Sequence, residues 1–187
     1  KTIEKLTGSG DVFIGMDHFA KPDDELSIAL DEGTLYRNFQ GYSTHSGLNL
    51  IALGMTSISM LSELYVQNVK KLNDYYRVLD EGKIPVFRGY ELTWDDMLRR
   101  KVITELMCNF RVNKREVEEQ FDIDFDDYFD DALENLKSFE EDDLLRIEPD
   151  RVSVYPQGRL LIRNIAMNFD YYLQKKAGKK PQFSRTV

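Results

Sequence analysis

The spacing of apolar and polar positions divides the 187-residue chain into two styles. Residues 1–7 carry the pattern of the last two turns of a helix, with Gly8 placed to cap it in the left-handed conformation. The short apolar run Val12-Phe13-Ile14 predicts a strand, and Pro22 then opens a helix. Asp23, Asp24 and Glu25 fill that helix's first turn, where carboxylates meet the positive end of the dipole. Leu26, Ala29 and Leu30 give it an apolar stripe and Gly33 stops it. The stretch Arg37 to Gly47 is polar and is expected to be irregular. Leu48 to Leu53 predicts a second strand ended by Gly54, followed by a mostly helical segment from about Ser57. Helix, strand, helix, loop, strand, helix is α/β logic. Two strands cannot sustain a parallel sheet alone, so this part is expected to be a slice of a larger domain.

Asn68 is placed as the cap of a helix over 68–81, with an apolar face of Val69, Leu72, Tyr76 and Leu79 and a stop at Gly82. After an extended link from Ile84 to Tyr90 the pattern changes. Thr93 and Asp96 form a capping box, and Trp94, Leu98, Val102, Leu106 and Phe110 recur every four residues. Asn113 with Glu116 starts a second helix. Asp124 with Asp127 starts a third, whose apolar face is Phe125, Phe129, Leu133 and Leu136. Leu144 to Ile147, a turn at 148–151, and Val152 to Tyr155 predict a hairpin. A closing helix is expected from about Gly158 to Lys175, with Leu161, Ile165, Phe169 and Tyr172 inward. Three helices, a hairpin and a helix is the winged-helix order.

Composition narrows the function classes. The 25 Lys and Arg against 33 Asp and Glu leave a net charge of −8, and 42% apolar residues suffice for a core. No run of apolar residues is long enough to cross a membrane, and no secretory leader pattern opens the chain. One cysteine, Cys108, cannot close an internal disulfide, which fits a reducing cytoplasm. From Phe121 to Asp150 there are thirteen acidic residues and two basic, so the third helix would repel phosphate and nucleic acid is not an expected partner.

Asp17-His18 is the first constellation with chemical capacity. It follows a strand, where α/β barrels keep catalytic groups, and an adjacent carboxylate could tune the imidazole. A buried histidine satisfied by a backbone carbonyl is the bland alternative. Gly54, before Thr56-Ser57-Ile58-Ser59, marks an expected strand-to-helix junction whose free N–H groups suit a nucleotide or carboxylate. Plain turn chemistry explains it equally well. Arg37, Asn38, Gln40 and Tyr42 are loop residues able to hold carboxylates. His45 is read as an exposed residue without a role, and Cys108 as a small core residue.

Several strings then resemble one family. They are Ile14-Gly15-Met16-Asp17-His18-Phe19-Ala20-Lys21-Pro22-Asp23-Asp24-Glu25-Leu26, Arg37 to Tyr42, Ile58-Ser59-Met60, Cys108-Asn109-Phe110, Gly158 to Asn164 and Gln182-Phe183-Ser184-Arg185. All resemble the C-terminal part of the oxygen-independent coproporphyrinogen III oxidases, radical S-adenosylmethionine enzymes whose chains are more than twice as long. The resemblance implies an α+β chain. Residues 1–70 would be the C-terminal strand/helix units of a partial (β/α) barrel, and residues 71–187 a mainly helical, winged-helix-like domain with a β-hairpin. It implies S-adenosyl-L-methionine and a [4Fe-4S] cluster as cofactors of the parent enzyme, with the cluster's three cysteines upstream, since this chain has no such motif. It implies coproporphyrinogen III as substrate, two of whose propionates become vinyls, and the remainder of the barrel as partner. The electron donor is left open. The family places the residue matching Ile58 against a second S-adenosylmethionine, with Gly54 beside it. Ala52 stands where the family often has a glycine, and Thr56 replaces a frequent serine. Asp17 and His18 are then the catalytic candidates, and Arg37 and Gln40 the substrate-binding ones. A non-catalytic winged-helix-like interaction module is the rival reading, and an acid–base hydrolase built on Asp17-His18 lacks a nucleophile.

Overall fold

The computed structural model describes residues 1–175, and the terminal string Gln182 to Arg185 lies outside them. The chain divides into two compact units, Lys1–Asn109 and a second from Phe110 onward; the sequence reading draws its boundary at residue 70.

In the first unit, α1 (Thr2–Gly8) ends on Ser9, and the left-handed residue is Gly10 (φ +89°) rather than Gly8. Strand β1 (Val12–Gly15) pairs antiparallel with β2 (His18–Ala20), so Asp17-His18 belongs to a tight hairpin instead of the end of a parallel strand. Helix α2 (Glu25–Glu32) starts later than Pro22, with Asp24 as its cap accepting the Leu26 N–H rather than lying in the first turn, and it ends on Gly33 in the left-handed conformation, as the pattern predicts. The stretch expected to be irregular is a second hairpin, β3 (Tyr36–Asn38) and β4 (Gly41–Ser43). Ile14, Ala29, Leu35 and Cys108 form the buried core beneath these elements.

The region around residues 48–70 departs most from expectation. Leu48 to Leu53 is no strand: only Leu50 makes a bridge, to Met60, and Ile51 and Leu53 are exposed. The helix expected from Ser57 is instead β5 (Ile58–Met60), paired antiparallel with β6 (Leu64–Asn68). The physical reason is a period of two, since Ile58, Met60, Leu64 and Val66 alternate with polar or aromatic residues around a turn closed by the Leu61 N–H on the Leu64 carbonyl. Asn68 therefore caps no helix; α3 (Leu72–Asp80) starts after Lys71 and Val69 falls outside it. Its apolar residues Leu72, Tyr76 and Leu79 are exposed, not inward. Strand β7 (Val86–Glu91) completes an antiparallel sheet of order β5-β6-β7. Helix α4 (Trp94–Asn109) opens on the predicted capping box, with the Thr93 N–H and Oγ1 both donating to Asp96 Oδ2 and the Asp96 N–H returning to Thr93 Oγ1. Leu98, Val102 and Leu106 on its predicted stripe are fully buried, while Trp94 is exposed.

The second unit keeps the predicted order. Strand β8 (Arg111–Asn113), which the sequence reading lacks, leads into α5 (Lys114–Phe121), capped by Asn113. The third helix is broken at Phe129 into α6 (Phe125–Tyr128) and α7 (Asp130–Glu141). The hairpin is β9 (Leu145–Ile147) and β10 (Arg151–Val154), and β10 also pairs with β8, giving an antiparallel sheet of order β8-β10-β9. The predicted closing helix is segmented: a 3-10 turn (Gly158–Leu161), α8 (Ile162–Ala166), a second 3-10 turn (Met167–Phe169) and α9 (Tyr171–Gln174), with Asp170 capping the last. Ile165 and Phe169 are buried as expected, whereas Leu161 and Tyr172 are exposed. The rings of Phe125, Phe129 and Phe169 cluster with centroids 4.9 to 6.4 Å apart. The fold is α+β; all strand pairings among the described residues are antiparallel, and they close no barrel.

Candidate functional site

Two of the sequence candidates meet on a third residue. The β3–β4 register puts Arg37 opposite Tyr42, and the guanidinium carbon lies 4.9 Å from the Tyr42 ring centroid. On the other hairpin, the His18 ring stands edge-on to the same tyrosine, centroids 5.1 Å apart. Tyr42 is fixed from behind, where its hydroxyl donates to the Met107 carbonyl at 3.3 Å. Gly41 serves this arrangement through its backbone, whose φ of +132° L side chains rarely adopt; a Cβ there would only touch His18 Nε2, at 3.5 Å.

The electrostatics of the cluster follow from burial. Burial raises the Tyr42 phenol above its ordinary value, with the Arg37 charge opposing. Burial also pushes the Cys108 thiol up to about 12, again opposed by Arg37, so the sulfur is a core atom and not a nucleophile. Arg37 Nη1 is buried without a hydrogen-bond partner, and Asn109 Oδ1 is likewise unsatisfied, its amide nitrogen donating to Glu105 Oε2 at 3.2 Å. His18 Nδ1 lies 2.9 Å from Asp17 Oδ1, but lacks the alignment of a hydrogen bond. The pair is thus a charge proximity that strengthens when the imidazole is protonated. A guanidinium with an unmet inner N–H, over an aromatic face and beside an imidazole, is equipped to hold a carboxylate.

Gln40 sits in the β3–β4 turn, where its backbone N–H donates to Asn38 Oδ1 at 2.8 Å. The preceding residue, Phe39, packs edge-on against Tyr65 of β6 at 5.4 Å. The turn carrying Gln40 therefore touches the sheet that carries Ile58.

Gly54 does not present free backbone groups as a strand-to-helix junction would. Its N–H donates to the Tyr75 hydroxyl at 3.1 Å, and its carbonyl accepts from Ser57 Oγ and Asn68 Nδ2. The Thr56 N–H goes to the Val69 carbonyl, and Ile58 pairs with Gln67 across β5–β6. Gly54 has φ +102°, so its part is conformational. Ile58 is half-buried, so its apolar side chain is partly open to a ligand.

An iron–sulfur cluster does not fit these residues. One buried, neutral thiol cannot provide three thiolates, and no group of three or more His, Cys, Asp or Glu among the described residues could hold a metal ion. No helix among the described residues is long and apolar enough to cross a membrane. The hydrogen bond from Tyr42 to the Met107 carbonyl went unread in the sequence because it joins residues 65 positions apart; an alternating Tyr-Arg-Asn and Gly-Tyr-Ser pair around Phe-Gln was the one local signal for the hairpin.

Comparison with known proteins places the chain among named relatives. Residues 92–161 match the HemN C-terminal domain. The whole chain is 52% identical to an oxygen-independent coproporphyrinogen III oxidase of Synechocystis sp. and 48% identical to that of Escherichia coli. It spans 41% of each of those relatives, and 57% of a 48% identical one from Thermostichus vulcanus. Among solved structures it matches one described as coproporphyrinogen III oxidase (HemN) from Escherichia coli, a radical SAM enzyme. That match has a TM-score of 0.89 and 48% identity, over 91% of this chain and 39% of the other.

Proposed function

We propose that this chain is the C-terminal portion of an oxygen-independent coproporphyrinogen III oxidase, and that the parent enzyme converts two propionates of coproporphyrinogen III to vinyls, giving protoporphyrinogen IX. The observation that carries the reading is the unbroken match of the entire chain, at about half identity, to relatives of that name. The parent would bind S-adenosyl-L-methionine and a [4Fe-4S] cluster through residues upstream of this segment, and would work in the cytoplasm, where the thiol of Cys108 stays reduced.

Within that reading this chain contributes binding surface. Arg37 holds a substrate propionate: its unmet Nη1 hydrogen-bonds the carboxylate while Tyr42 keeps the guanidinium plane in place. His18, with Asp17 beside it, adds positive charge when protonated and orients the same group. Gln40 lies on the turn next to Arg37's strand and donates from its side-chain amide. Ile58 packs against an adenosylmethionine through its side chain. Residues 1–70 would close one side of the parent's barrel, and residues 71–187 would form its C-terminal domain.

Arg37 is the residue to test. In the full-length parent, Arg37→Gln should raise KM for coproporphyrinogen III about ten-fold or more, and Arg37→Lys should rescue part of it. An unchanged KM in both would remove Arg37 from the binding surface.

A further inference from the structure

One edge of the first unit's β5-β6-β7 sheet is half finished. Leu50 lies beside β5, its N–H donating to the Met60 carbonyl at 2.8 Å and its carbonyl accepting the Met60 N–H at 2.9 Å. The Ala52 N–H donates to Ser59 Oγ at 3.0 Å, and its carbonyl accepts from Ser57 Oγ at 3.2 Å. Gly54 follows, with its N–H on the Tyr75 hydroxyl and its carbonyl taken by Ser57 Oγ and Asn68 Nδ2. Leu50, Ala52 and Gly54 therefore turn their backbone groups into the first unit. Ile51 and Leu53, between them, do not: their N–H and C=O groups have no hydrogen bond among the described residues. Alternation of bonded and open backbone groups is the mark of an edge strand satisfied on one side only.

The side chains at the open positions are apolar and bare. Ile51 is 72% exposed and Leu53 87%, with Leu48 at 62% just before them. From Leu48 to Ser62 the sequence carries no charged residue and no proline. Edges that face water are normally blunted by charge, proline or a bulge. The opposite edge of the same sheet obeys that rule: β7 carries Arg88 and Glu91, and its register with β6 shifts between Gln67 and Asn68. The edge at Ile51 and Leu53 has none of these devices. Open donors and acceptors beside uncharged apolar side chains form a template for one more strand. The chain spans 41% of two relatives that match its whole length, so most of such a parent lies outside it. A strand tethered in the same polypeptide meets the edge at an effective concentration of about millimolar, an advantage that a separate second copy lacks.

We propose that residues 48–53 are a docking edge, on which an extended apolar segment of the parent upstream of Lys1 pairs with the backbone of Ile51 and Leu53. The upstream position of that segment rests on the C-terminal placement proposed above. The test is amide hydrogen exchange on the full-length parent and on the 187-residue chain alone, read at single residues by mass spectrometry. In the parent, the Ile51 and Leu53 amides should exchange about a hundred-fold or more slower than in the chain alone. The Leu50 amide, bonded to Met60, should be protected in both and is the internal reference. Equally fast exchange of Ile51 and Leu53 in both proteins would overturn the proposal. Protection in the chain alone that grows with its concentration would overturn it too, because a second copy would then be the occupant. Leu53→Lys reads the same edge independently. It should lower the melting temperature of the parent by about 5 °C or more and leave that of the 187-residue chain within about 2 °C. Equal shifts in both would count against the docking edge. Turnover of coproporphyrinogen III by the same parent preparation separates this inference from the functional reading. A protected edge without turnover supports the docking edge and overturns the activity, whereas turnover with an unprotected edge overturns the docking edge alone.

Discussion

Adding one methyl group at Gly158 should unfold the second unit at a markedly lower temperature. The perturbation is Gly158→Ala. Its φ lies outside the left-handed region, so the backbone alone would accept alanine; the obstacle is space. The new Cβ would meet Leu144 O at 2.0 Å, Leu144 C at 2.9 Å and Val154 Cγ1 at 3.0 Å. Ordinary contact begins above 3 Å, so the backbone must open by about 1 Å, and no side-chain rotation can supply that because two of the three atoms are main chain. The Leu144 oxygen also accepts the Tyr155 N–H at 2.9 Å, the bond that continues the β9–β10 hairpin toward the turn. Overpacking costs about 1–3 kcal/mol and a weakened buried hydrogen bond about 1 more, while the better turn propensity of alanine returns less than about 1. A net loss of about 2–3 kcal/mol in a unit of under a hundred residues lowers the melting temperature by about 10 °C or more. Thermal unfolding followed by circular dichroism measures it, with Leu160→Ala, an exposed position in the same turn, as the control expected to change little. A Gly158→Ala protein melting within 2 °C of wild type would refute the close approach.

Cys108 gives a pH dependence with a definite sign. Its thiol ionises at about 12 in the folded chain against an ordinary value of 9.0, so the unfolded state loses its proton first and stability falls as pH rises through that window. The slope is about 1.4 kcal/mol per pH unit, and in urea unfolding between pH 8 and 10.5 wild type should lose stability more steeply than Cys108→Ala by that amount. Parallel curves would contradict it. Lys114 is buried, with Nζ 2.6 Å from Asp126 Oδ1. Removing the acid strands a charge, so Asp126→Ala should cost about 1–3 kcal/mol, whereas Lys114→Met should cost less; the opposite order in urea unfolding would sink this account. In the full-length parent, Ile58→Asp should abolish vinyl formation with iron content retained, because an unpaired carboxylate there would oppose an apolar ligand contact. Normal turnover in that variant would withdraw Ile58 as a site.

The legible parts of the sequence were those with local causes. The capping box Thr93–Asp96, the caps Asn113 and Asp124, and the stop at Gly33 each rest on a hydrogen bond or dihedral set within four residues. The hairpin at 145–154 announced itself through β-branched residues around a Pro-Asp turn. What failed was the choice of period in short apolar runs. Ile58 to Asn68 alternates at two and was read as helix, because Gly54 suggested the end of a preceding strand. The exposed Leu48 to Leu53 run is apolar without being buried, which composition alone cannot distinguish from a core strand. For the candidate site, Arg37 and His18 were visible as residue types, but their meeting point, Tyr42 backed by Met107, depends on pairing across long separations.

The most direct measurement is turnover by the complete protein that contains this segment. Purified anaerobically with its cluster, and supplied with S-adenosyl-L-methionine and a reductant, it should convert coproporphyrinogen III into protoporphyrinogen IX, read as protoporphyrin fluorescence after oxidation and chromatography. The 187-residue chain alone should give none and bind no cluster, having one cysteine. Coproporphyrinogen III left unchanged by a complete protein with a full complement of iron would contradict the assignment.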